Sequence, residues 1–163
     1  MLDIADEEED GLDSRRVSAI LDAVEAGDAR RLAELLEPLH AADIADLLEQ
    51  ISSTERNAFL ALLPGEIDGE VLSEIDDAIR EEVIEALPRE VVAEAMRELD
   101  SDDVVDILED LDPPQQDIIL GALELSDRLA VMQALSYPED SAGRLMQREV
   151  VVAPEHWTVG EAI

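Results

Sequence analysis

Between Leu39 and Met146 the sequence repeats every twelve residues, and that period restricts the possible folds more than any other feature of the chain. Stepping by twelve from Leu39 meets Ile51, Leu63, Ile75, Leu87, Leu99, Leu111, Leu123 and Leu135. A second column runs Leu48, Leu60, Leu72, Ile84, Met96, Leu108, Leu120 and Met132. The positions just before it read Leu47, Phe59, Val71, Val83, Ala95, Ile107, Ile119 and Val131. Every member of the three columns is apolar, although hydrophobic residues make up only 47% of the chain. A short fixed period of this kind marks a stacked repeat architecture.

Within one unit the apolar columns, often joined by a fourth (Ile44, Val92, Val104), recur at spacings of three and four, as on one helix face. One continuous helix cannot satisfy them. At ~100° per residue, twelve residues carry the stripe round by roughly 120°, so the chain must break once per unit. Pro64, Pro88, Pro113, Pro114 and Pro138 follow closely on a column leucine, where a new helix tolerates a missing N–H. Ser52 with Glu55 reads as a capping box, and Ser101 and Ser126 read as N-caps. Each unit is then a helix of roughly ten residues, about 15 Å long, too short to stand alone in water. The expected fold is all-α: a right-handed superhelical array of about ten short helices over residues 14–136.

The net charge of −32, from 43 acidic and 11 basic residues, argues against nucleic acid and anionic lipid as partners. A solubilising acidic surface of the halophilic kind accounts for most of these acids, and leaves a few that could meet divalent cations through carboxylate oxygens. With no cysteine there is neither disulfide nor thiol chemistry. No apolar run approaches the ~18 residues of a membrane span. Residues 1–13, acidic and with little to bury, are expected to be disordered. Ser14 is a plausible cap for a first helix that Gly27 stops, and Gly65 and Gly69 make PGEIDGEVLSEI the weakest helical unit. After a connecting helix over 137–148 the composition changes. EVVVA reads as a strand, TVGE at Thr158–Glu161 as a capping box, and the stop after Ile163 as a cut just inside a second domain.

No catalytic constellation is visible. His40 and His156 are far apart, His40 precedes a helix as a turn residue, and Trp157 suits a domain edge. The carboxylates remain. Asp102 and Asp106 are four apart on one helix face, with Asp103 three before Asp106. Solvated acidic faces are common, yet a hydrated Mg2+ needs only one or two carboxylates from any one element.

The phrases LHAADIADLLEQI, LLPGEIDGEVLSEI and LDSDDVVDILEDL, followed by YPEDSAGRLMQREVVVAPEHWTVGEAI, resemble the cytosolic part of the MgtE family of magnesium transporters. The likeness spans Ser14 to Ile163, and DSAGRLM is its most specific part. It implies an N domain over 14–136 and, over 149–163, the start of a truncated α/β CBS domain. It further implies a regulatory domain, not an enzyme, on the cytoplasmic side of the membrane. There Mg2+ held between acidic N and CBS surfaces favours a closed pore. Carried over by position, the implied metal ligands are Glu70, Asp102 and Asp106. The implied partners are the CBS and transmembrane domains of the same protein, a homodimer at full length, with the fragment expected to be monomeric. The competing expectation is a helical-repeat scaffold for protein–protein interaction with no metal role.

Overall fold

The computed structural model describes residues 12–148 and 154–162. Most of the acidic N-terminus (residues 1–11) and the expected strand (residues 149–153) lie outside them. The last two residues of the N-terminal stretch are ordered. Leu12 packs on the core, and Asp13, not Ser14, caps the first helix, its carboxylate accepting from Arg16 N at 2.6 Å.

Among the described residues the fold is entirely helical: α1 (Ser14–Ala26), α2 (Ala29–Leu36), α3 (Ala41–Gln50), α4 (Ser53–Leu62), α5 (Gly69–Glu74), α6 (Asp77–Ala86), α7 (Arg89–Glu98), α8 (Ser101–Glu109), α9 (Pro113–Ala122), α10 (Leu125–Leu135) and the short α11 (Val159–Ala162). The twelve-residue period is visible in the starts. α3, α4, α6, α7, α8, α9 and α10 begin at Ala41, Ser53, Asp77, Arg89, Ser101, Pro113 and Leu125, with one step missed. At the missed step Pro64–Glu66 makes a 3-10 turn and α5 has only six residues. Weak helix propensity explains the delay. Gly69 is required for a second reason: a Cβ there would lie 2.5 Å from the Ala95 carbonyl oxygen, so α5 and α7 approach backbone to backbone.

The column Leu47, Phe59, Val71, Val83, Ala95, Ile107, Ile119, Val131 forms the spine of the core, none of its members more than 2% exposed. Helices pack on those two units away: α3 on α5, α5 on α7, α7 on α9, and likewise α4 on α6 and α8 on α10. Groups about two periods apart in sequence are therefore neighbours, as where Asp76 N donates to Glu49 Oε1 (2.9 Å) and Gln115 Nε2 to Glu85 Oε1 (3.2 Å).

Three expectations need correcting. The capping box at Ser52 and Glu55 is present, but α8 and α10 are preceded by Asp100 and Glu124, so Ser101 and Ser126 fall inside their helices. Ser101 is instead buried, and its Oγ accepts from Arg148 N at 3.2 Å. Residues 137–148 form no connecting helix. They run through consecutive turns, with Ser141 N bonded to Pro138 O (3.0 Å) and Arg144 N to Ser141 O (2.9 Å). Pro138 cannot continue α10, and Gly143 lies so close to the Tyr137 ring that an added Cβ would meet it at 2.9 Å. Finally, the column that begins at Leu48 stops being buried at the C-terminal end of the array, while Val131 in the neighbouring column stays buried. Met132 is 52% exposed, alongside Leu125 and Leu129 on the same face of α10.

Candidate metal site

The inner stripe of α8 (Val104, Val105, Ile107, Leu108) fixes the helix in the core and turns Asp103, Asp106 and Glu109 outward, with Asp102 half-buried. Asp102 and Asp103 lie in its first turn, where carboxylates suit the helix dipole. Asp102 Oδ1 is fully buried and has no hydrogen-bond partner. A carboxylate oxygen so placed has lost water without replacing it, a costly state that a cation or its hydration shell would relieve. Beside it, Asp103 has its carboxyl pushed above the ordinary value by loss of water and by the charges of Asp102, Asp100, Asp106 and Glu74.

Asp102 and Asp106 line one groove together with Asp103, Glu109, Arg144 and Leu145. Glu70, near the start of α5, lines an adjoining groove with Asp68, Ser73, Glu98, Asp100 and Asp103. The structure thus brings Asp102 and Asp106 together and leaves Glu70 across Asp103, which borders both grooves. Among the described residues no three His, Cys, Asp or Glu side chains converge as a metal-holding group. The donor set is all carboxylate, which suits Mg2+, and the orphaned Asp102 oxygen fits it. A largely hydrated ion would need only one or two such carboxylates from this side.

Sequence reasoning missed the counter-ions. Arg80, only 4% exposed, donates from Nε and Nη2 to the Ile75 carbonyl (3.2 and 2.9 Å). Its Nη1 reaches Asp106 Oδ2 at 3.1 Å and Asp110 Oδ2 at 2.9 Å, while Nη2 lies 2.9 Å from Asp77 Oδ1. Three carboxylates share one guanidinium. Asp110 accordingly keeps a raised carboxyl, because burial and then Asp77 outweigh the pull of Arg80. Arg56, two repeats earlier, occupies the same repeat position but divides its bonds between two carbonyls, Leu48 O and Ile51 O, and pairs with Glu82 at 2.7 Å. The available signal was two arginines spaced by twice the period at a position held elsewhere by Ile44, Val92 and Val104. In the Asp102 and Asp106 groove itself, buried Arg144 of the DSAGRLM stretch pairs with Glu109 and donates to Leu135 O (2.5 Å) and Tyr137 O (3.3 Å).

Three comparisons with known proteins bear on this arrangement. The sequence profile described as the MgtE intracellular N domain matches residues 39–140. Over 64 residues the chain is 38% identical to the magnesium transporter MgtE of Bacillus subtilis (strain 168), a stretch that covers 39% of this chain and 14% of that protein. A crystal structure of the cytosolic domain of the Mg2+ channel MgtE in complex with ATP superposes with a TM-score of 0.69 at 31% identity, over 80% of this chain and 54% of that one. The soluble part of a magnesium transporter shares the fold with the same TM-score of 0.69 at 20% identity, over 84% and 54% of the two chains. The chain therefore spans about half the length of the solved structures it matches, and a much smaller part of the full transporter.

Proposed function

The chain belongs to the MgtE intracellular N-domain family, and from that premise we propose that it is the cytosolic Mg2+-sensing domain of a magnesium transporter. Asp102 and Asp106 hold one side of a hydrated Mg2+ ion, with Glu70 contributing from the adjoining groove. The facing CBS domain of the same transporter completes the sphere. An ion bridging two acidic faces stabilises whichever arrangement brings them together, by as much as its affinity for the two arrangements differs. At high internal Mg2+ that arrangement is the compact one, with the pore closed. Transport itself belongs to the membrane part, and among the described residues no helix is long and apolar enough to cross a bilayer. CBS and transmembrane domains, paired in a homodimer, are the partners this function requires.

The observation that carries the proposal is that Asp102, which lines the same acidic groove as Asp106, has a buried Oδ1 with no hydrogen-bond partner. The test is Mg2+ titration at moderate salt, followed by NMR or calorimetry, on this chain and on Asp102→Asn/Asp106→Asn. Saturable binding that disappears in the double variant is expected. Diffuse, salt-suppressed binding of equal strength in both proteins would reduce the acids to general screening. A second reading, a scaffold for protein partners, is favoured by one feature, the exposed apolar stripe of Leu125, Leu129 and Met132 on α10. Alanine substitutions along that stripe separate the two readings, since they would leave Mg2+ binding unchanged.

A further inference from the structure

We infer that Arg80 is a built-in competitor for the cation at Asp106, and so sets the concentration at which Mg2+ engages α8. The inference rests on the Mg2+-sensing reading and adds its regulation.

Arg80 is held in place independently of the acids, through its two bonds to the Ile75 carbonyl and its burial between α6 and α8. Its Nη1 hydrogen occupies Asp106 Oδ2, one of the two oxygens a cation would use. A divalent ion arriving there must either share the carboxylate with that positive charge or displace the guanidinium towards Asp110, which already shares Nη1, and Asp77, which holds Nη2. Those two carboxylates give the displaced charge a place to rest, so exchange does not leave an unpaired buried cation.

The arrangement also discriminates between ions. Arg80 already supplies the single positive charge that a sodium or potassium ion would bring to Asp106, so a monovalent ion gains little by entering. A divalent ion brings a surplus. A unit charge ~6 Å from a divalent ion in a water-like dielectric changes its affinity about tenfold, and that is the size of the effect expected.

Gln116 shows how to test this without losing the fold. Its neutral amide donates to Leu108 O (2.8 Å) and Leu111 O (2.9 Å), serving as a carbonyl cap at the equivalent repeat position. Arg80→Gln should therefore keep a cap and remove the charge. Mg2+ titration is expected to give about tenfold tighter binding in Arg80→Gln than in the parent chain, with measurable Na+ competition appearing only in the variant. Arg56→Gln removes the same charge beside Glu82, away from α8, and should leave Mg2+ affinity unchanged. In the unmodified protein, the Arg80 Nε–H resonance should shift along the same titration curve as the Asp102 and Asp106 amides, while that of Arg56 stays still. This readout needs no variant to fold.

Equal affinities in Arg80→Gln and parent, with binding still lost in Asp102→Asn/Asp106→Asn, would overturn the role of Arg80 and leave the sensing reading intact. An Arg80 resonance that ignores Mg2+ while the α8 amides respond would overturn it in the same way. No saturable binding to either protein would remove the sensing reading, and this inference with it. Binding that appears only in Arg80→Gln would uphold the inference in its strongest form, a site silenced by its own arginine.

Discussion

Arg56 and Gln116 cap the array in the same way: Arg56 Nε donates to Leu48 O and Gln116 Nε2 to Leu108 O, both at 2.8 Å, and each side chain also reaches the carbonyl three residues further on. A charged and a neutral side chain thus satisfy the same orphaned helix-end carbonyls. Arg56→Ala, which strands those carbonyls and Glu82, should cost about 3 kcal/mol. Arg56→Gln should cost less than half as much. Urea unfolding of the two variants measures the difference, and equal losses would show that the charge, not the cap, matters there.

Gly69 and Gly121 should respond to alanine in opposite directions. At Gly69 the new Cβ meets the Ala95 carbonyl at 2.5 Å and the Leu99 side chain at 2.8 Å, so Gly69→Ala should destabilise by about 1–3 kcal/mol despite better helix propensity. At Gly121, within α9, nothing lies within 4 Å of the added atom. Gly121→Ala should stabilise by roughly 0.5–1 kcal/mol. Thermal melts in one buffer decide both.

Acid should strengthen the fold before it weakens it. Asp103 and Asp110 have carboxyl pKa values raised above the ordinary 3.8. The folded state therefore holds their protons more tightly, an advantage complete below 3.8 and lost as pH rises through the raised values. Glu55 works the other way. Its pKa is lowered by the Ser52 hydroxyl and backbone N–H, so its contribution is present above 4.5 and lost as pH falls below its lowered value. Melting temperature should climb as pH drops through the raised values of Asp103 and Asp110 towards 3.8, and Asp103→Asn should flatten that slope while raising the melting temperature at pH 7 by roughly 2 °C.

The charge of −32 makes a prediction of its own. If self-repulsion of the acids opposes compaction, raising NaCl from 0.1 to 1 M should raise the melting temperature by several degrees. Sodium sulfate at matched ionic strength would add a contribution from strengthened burial, so the chloride series is the cleaner measure. A flat chloride series would mean that the buried arginines already absorb the repulsion.

The repeat was legible because burial here has a strict period. Leu47 through Val131 could be picked out as core without knowing where any helix lay. The polar side chains that interrupt the pattern were not legible. Arg56, Arg80 and Gln116 occupy the position that Ile44, Val92 and Val104 fill with apolar side chains, and their bonds run to backbone carbonyls that no sequence pattern displays. Ser101 and Ser126 have the chemistry of caps, but Asp100 and Glu124 stand one and two places earlier and take the turn. The acidic face of α8 followed from the spacing of Asp102 and Asp106. Its relation to Glu70 did not, because Asp103 standing between two grooves is a fact of packing between α5 and α8.

The segment that leaves the array is fastened to α8 along its whole length. Arg144 grips Glu109 at the C-terminal end of that helix, while at its N-terminal end Gln147 donates to Asp100 and Arg148 N to Ser101. α10 comes later in sequence, yet a pull on the chain beyond Arg148 reaches α8 through side-chain ties at both ends. The helix that carries Asp102 and Asp106 is thus the one through which a load on the chain beyond Arg148 enters the array.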